Sequence, residues 1–154
     1  MQTLRSELRD FYDDYAECLD EDDLENWPSF FAEDARYRVT GRENYDQGLE
    51  HATLYCDGIA MIHDRVLAIR KSTVFEPRSL RHIISGVRIQ NPGDVIEAKA
   101  SFVIFECLSD KEPRILMVGR YFDRLVRNGD SFLFKDRACV FDNYRIMTSL
   151  IIPV

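Results

Sequence analysis

The side chains in this sequence that could carry chemistry are few and scattered. Three histidines, His51, His63 and His82, lie 12 and 19 residues apart, and four cysteines, Cys18, Cys56, Cys107 and Cys139, stand singly. No histidine is two or four residues from another, and none is within three residues of a cysteine. A Rieske-type cluster takes two cysteines and two histidines on its irons, and neither C-x-H nor C-x-x-H occurs. A mononuclear iron site of two histidines and a carboxylate can be drawn from His51 and His63 with Asp57 or Asp64, but nothing in that spacing makes the ligands converge. There is no phosphate-cradling loop and no nucleophile elbow. The expectation is that this chain holds no catalytic, cofactor-binding or metal-ligating residue.

One acid–base constellation is worth building. Leu80, His82 and Ile84 alternate along one strand face, so the imidazole sits in an apolar layer. With Asp14 or Asp34, and Tyr15 or Tyr37, it could form a His–Asp–Tyr group for dehydration or isomerisation. The plainer reading is a buried histidine held by one hydrogen-bonded partner, and His82 is expected to be structural. Trp27, with Phe30 and Phe31, is expected to plug the core and not to cage a substrate.

The elements that would position these residues follow from periodicity. Leu4, Leu8, Phe11, Tyr12, Tyr15 and Leu19 recur at helical spacing. Asp22 and Glu25 resemble a capping box for a second, short helix through Leu24 and Trp27 to Phe31; Pro28 is tolerated only in a helix's first turn, which leaves the boundary of this one open. Residues 35–40 alternate as a strand, 41–48 form a polar loop, a short strand spans 53–56, and a helix spans 58–71. Long strands follow at 80–90, 95–108, 115–127 and 132–141, the last pair joined at Asn128-Gly129, a strong hairpin signal. The order predicts a single α+β domain over residues 1–154, in which a mostly antiparallel sheet curls around early helices into a half-open cone.

Composition narrows the partners. The chain has 154 residues with a net charge of −7, which disfavours nucleic acid. No apolar run is long enough to cross a membrane and Met1–Asp10 lacks the apolar stretch of a signal peptide, so a cytoplasmic location is expected. The acid excess is local: residues 1–34 hold 12 acids and 2 bases. Elsewhere bases prevail, and arginine outnumbers lysine 16 to 4, a bias that suits fixed ion pairs and interfaces. Residues 100–105 and 115–118 are apolar on both strand faces, although a strand with one wet face should alternate. The outer face needs a cover, either another subunit or the apolar tail at 150–154. Arg81, Arg120, Arg124 and Arg137, near strand ends, are expected to pair across a subunit boundary.

Several segments together resemble the small (β) subunits of aromatic-ring-hydroxylating dioxygenases. They are Trp27-Pro28-Ser29-Phe30-Phe31, Tyr37-Arg38-Val39, Arg42-Glu43-Asn44 before Gly48-Leu49, and Met61-Ile62-His63-Asp64-Arg65-Val66. Arg81-His82-Ile83, Gly119-Arg120-Tyr121 and Arg137-Ala138-Cys139-Val140 complete the set. The resemblance runs in order through nearly the whole chain. It is greatest to the branch acting on single-ring aromatic acids such as salicylate, anthranilate and terephthalate. It implies a fold like nuclear transport factor 2 and cystatin, and a structural role beside a large (α) oxygenase subunit, usually as α3β3 with the small subunits in a trimeric ring. That partner would carry the Rieske [2Fe–2S] cluster and the mononuclear iron, with electrons from NAD(P)H through a reductase. The competing readings are a free-standing dehydratase, isomerase or cyclase using His82, and a protein that binds a small aromatic in the cone. Fold alone does not separate them.

Overall fold

The computed structural model describes residues 2–49, 52–71, 78–143 and 153–154. Helix α1 (Gln2–Asp20) buries most of the row foreseen from its spacing: Leu8, Phe11, Tyr12, Tyr15 and Leu19 are inside, and Leu4 is partly buried against them. A 3-10 helix (Leu24–Phe30) follows and leads into β1 (Phe31–Gly41). Then come the short helix α2 (Arg42–Asp46), β2 (Leu54–Asp57), α3 (Ile59–Lys71) and four long strands. These are β3 (Arg78–Pro92), β4 (Ile96–Leu108), β5 (Arg114–Asn128) and β6 (Ser131–Phe141).

The six strands form one sheet in the order β2-β1-β6-β5-β4-β3. All pairings are antiparallel except β1 with β6, which run parallel. In β4 the even-numbered residues from Ile96 to Leu108 are all buried, the alternation expected of a sheet with one face on a core. That inner face packs on α1: Phe11 meets Phe132 and Phe134 at ring-centroid distances of 5.7 and 5.0 Å. Gly86, at φ +66°, lies in the irregular stretch between Ser85 and Arg88, where the register of β3 on β4 shifts. Such a bulge bends a long strand.

Three local expectations are corrected. Asp22 takes a left-handed φ of 58°, Asp23 precedes the 3-10 helix, and no side-chain cap forms. Asp22 and Glu25 instead grip Arg70 at the end of α3, at 2.8 and 2.7 Å, a pair of charges serving a tertiary contact and not a local one. The polar stretch 41–48 contains α2. The strand expected at 80–90 spans Arg78–Pro92.

Candidate functional site

The interior of the sheet carries a buried polar cluster built by strand register. Asp123 on β5 lies directly opposite Arg137 on β6, and both side chains are 0% exposed. Arg137 Nη1 donates to Asp123 Oδ2 at 2.7 Å, and the Tyr12 hydroxyl of α1 donates to the same oxygen at 2.6 Å. The guanidinium lies 3.5 Å from the Tyr121 ring centre, with Phe134 and Tyr15 at 4.2 and 4.4 Å. Aromatic faces thus share the stabilisation of this cation with the carboxylate. Burial pushes the Asp123 carboxyl up to about 6, with Arg137 pulling the other way. Burial also raises Tyr12, Tyr15, Tyr37 and Tyr121 well above the usual phenol range and Cys139 to about 12. Every hydroxyl and thiol here therefore stays protonated and can act as a donor.

Beside this cluster lies Val154, itself buried. Its backbone oxygen accepts from the Tyr15 hydroxyl at 2.8 Å and the Tyr37 hydroxyl at 3.3 Å. Trp27 is completely buried and donates from its ring nitrogen to the Tyr15 oxygen at 3.1 Å. It stands edge-on to Phe31 and Tyr37, as a core plug should.

His82 occupies the apolar strand face expected of it, but its partner is neither Asp14 nor Asp34. Asp20, the last residue of α1, accepts from His82 Nδ1 at 2.6 Å and from the His82 backbone N–H at 3.0 Å. Asp14 is exposed, Asp34 pairs with Lys135 on the surface, and Tyr15 and Tyr37 hold Val154 instead. A histidine base must present Nε2 to its substrate. Here the imidazole is 0% exposed, so its ring is closed off from solvent. The pair ties the end of α1 to β3. His82→Ala is accordingly expected to destabilise the chain by about 1–3 kcal/mol while turnover per intact complex stays unchanged. A catalytic base would show the reverse, intact assembly with a rate loss of roughly 10²–10⁴; thermal midpoint, oligomer mass and turnover of the purified variant decide between them.

A second buried carboxylate, Glu106 on β4, is clamped by Arg78 at 2.6 Å and Arg114 at 2.6 Å from the flanking strands. Asp123 and Glu106 both escaped sequence reasoning, yet a signal existed. Each is a charge at an inward position of a period-2 row, where only a paired group can stay.

The outer face of the sheet differs in kind. Ile83, Val103 and Val118 line up across β3, β4 and β5, as do Phe105 and Ile115 on β4 and β5. Ile83 and Ile115 are 53% and 58% exposed. Arg81, Arg120 and Arg124 are also exposed on this side. Arg137, named with them as an interface arginine, is corrected: its strand parity turns it inward to Asp123. Val154 also enters the interior and does not lie over these strands; residues 150–152 fall outside the described residues.

The donor set does not fit an iron group. Among the described residues no three His, Cys, Asp or Glu side chains gather to hold a metal. His63 is exposed on α3, and His51 lies outside the described residues. Cys18, Cys56 and Cys139 are buried and free. Among the described residues no helix is long and apolar enough to cross a membrane.

Comparison with known proteins gives this architecture its class. The fold recurs at 20% identity and a TM-score of 0.74 in ActVI-ORFA from Streptomyces coelicolor, covering 94% of this chain and 99% of that one. It is therefore the open cone of the nuclear transport factor 2 type. A family model described as the ring hydroxylating beta subunit matches residues 14–148. The small subunit of anthranilate 1,2-dioxygenase from Burkholderia cepacia is 33% identical over 142 residues, 91% of this chain and 88% of that protein. A beta subunit of the terminal oxygenase component of terephthalate 1,2-dioxygenase from Comamonas is 31% identical, covering 91% and 92%. A structure from Novosphingobium aromaticivorans, described as the beta subunit of a proposed aromatic-ring-hydroxylating dioxygenase, superposes with a TM-score of 0.90. It is 41% identical and covers 99% of this chain and 98% of that one. The chain belongs to the ring-hydroxylating dioxygenase β-subunit family, and it is a component of such an enzyme system.

Proposed function

We propose that this chain is the non-catalytic small subunit of a Rieske-type oxygenase that hydroxylates or dihydroxylates a single-ring aromatic acid in the cytoplasm. The Rieske [2Fe–2S] cluster and the mononuclear iron then belong to the large subunit, and three copies of each subunit form α3β3 with the small subunits in a ring. The observation that carries the structural role is the outer strip of Ile83, Phe105, Ile115 and Val118, apolar side chains left uncovered side by side on one face of the sheet. The closed environment of His82 favours the same reading over a free-standing dehydratase. The identities of the similar small subunits support the substrate class.

Substituting the strip tests the role. Ile115 is mostly exposed in its own chain, so the stability of Ile115→Asp should change by no more than about 0.5 kcal/mol. Assembly should weaken at least tenfold, because a charge placed in a dry interface is unpaired. Sedimentation of the variant mixed with the large subunit measures this. Unaltered assembly of both Ile115→Asp and Ile83→Asp removes the strip from the account. Iron analysis of the purified single chain is expected to find no stoichiometric iron; one tightly held iron per chain would contradict the assignment of both groups to the partner.

A further inference from the structure

Three donors converge on one oxygen inside the cone. The Tyr15 and Tyr37 hydroxyls lie 2.8 and 3.3 Å from the Val154 backbone oxygen, and the Cys139 sulfur lies 3.6 Å from it. Tyr37 also accepts from the Val154 N–H at 2.8 Å, and Trp27 backs Tyr15 through its ring N–H at 3.1 Å. Linked donors of this kind polarise one another. All four side chains are 0% exposed, and they come from α1, the 3-10 helix, β1 and β6. The scaffold thus assembles the donors from separate elements, and Val154 supplies the acceptor.

The surroundings suit an acyl oxygen carried on a small apolar body. The rings of Trp27, Phe31 and Tyr37 stand mutually edge-on at 5.2–5.8 Å. The neighbouring cation, Arg137, is matched by Asp123, so the pocket offers hydrogen bonds and no excess charge. Burial keeps both tyrosines and Cys139 protonated, which leaves donors and no competing anion.

We propose that the Tyr15–Tyr37–Cys139 cluster is a binding site for one oxygen of a small apolar carboxylic acid, filled in this structure by the chain's own Val154. Seating of Val154 and binding of the acid are then mutually exclusive. The acid's apparent affinity for the unaltered chain is reduced by the fraction of molecules in which Val154 is seated. This inference is independent of the subunit role: the site lies in the interior, away from the outer strip.

Benzoate is the probe, with toluene as the same ring lacking the oxygens. Trp27 is the single tryptophan and touches the site, so its fluorescence reports occupancy. The full chain carrying Val154→Gly, which loses the apolar anchor and keeps the chain length, is expected to bind benzoate saturably and at least tenfold more tightly than the unaltered chain. Toluene should bind at least tenfold more weakly than benzoate. Adding Tyr15→Phe to Val154→Gly should lower the benzoate affinity at least tenfold and remove the preference over toluene. Should Val154→Gly not fold, a chain shortened by Pro153 and Val154 replaces it, with a circular dichroism spectrum as the check on folding. A folded variant without saturable benzoate binding overturns the proposal. So does equal affinity in the unaltered chain, or benzoate binding indifferent to Tyr15→Phe. Failure of both variants to fold, with no recovery of either in excess benzoate, also counts against it, because a ligand for the folded state must stabilise that state.

Discussion

Arg137→Ala is expected to destabilise the chain by about 3–5 kcal/mol, the usual result of removing one partner from a buried ion pair. The reason lies in what remains. The Asp123 side chain is fully buried, and without Arg137 the hydrogen bond that remains to its carboxylate is the one from Tyr12. Three aromatic rings that now face a guanidinium within 4.4 Å would also face a void. Replacing both charges together, Arg137→Met with Asp123→Leu, should cost less than either single change, since no buried charge is then left alone. Urea unfolding of the three variants measures the coupling.

The same pair sets a pH dependence. Asp123 titrates near 6 in the folded chain against an ordinary value of 3.8, so between those values the folded state holds more protons than the unfolded one. Its contribution to stability is therefore fullest at the acid end and declines as pH rises from about 4 to about 6. Glu25 acts in the opposite sense: Arg70 draws it down to about 2, and what it contributes is lost as pH falls below its ordinary value. The difference in unfolding free energy between the unaltered chain and Asp123→Asn isolates the first effect. That difference should fall across the window and flatten above it.

Gly119→Ala is expected to be equally damaging, about 4 kcal/mol, at the extreme end of single substitutions. A Cβ at Gly119 would stand 2.9 Å from Phe102 Cζ and 2.9 Å from the Phe141 Cα, with the Val140 carbonyl oxygen closer still. Two of those three obstacles are backbone atoms of β6, hydrogen-bonded in the sheet and unable to yield. Phe102→Ala clears only the side-chain contact and empties part of the core, so the double variant should be no more stable than Gly119→Ala alone. Recovery of soluble, cooperatively folding Gly119→Ala protein with an unchanged midpoint would contradict this.

What could be read from the sequence follows from the range of each interaction. Strand alternation located β3 to β6, and helical spacing fixed the buried row of α1, because burial of a face repeats locally. The asparagine–glycine pair at 128–129 marked its hairpin for the same reason, as Gly129 takes φ +62°. Partner choice was not legible. Asp20 meets His82 from 62 residues away, and Arg137 faces inward because of its parity relative to Phe134 and Cys139, interrupted by a register shift at Arg124/Leu125. The Asp22–Glu25 pair misled because a capping box and a clamp for a distant arginine use the same residue types. The parallel pairing of β1 with β6 likewise depends on closure of the sheet and leaves no local trace.

Native mass spectrometry of the assembly purified through a tag on this chain tests the central claim most directly, with iron counted in the same sample. The account predicts particles in which this chain and an iron-bearing large subunit occur in equal number, with all the iron leaving alongside the large subunit when the particle is dissociated. A particle made of this chain alone, turning over substrate without a large subunit, would contradict it.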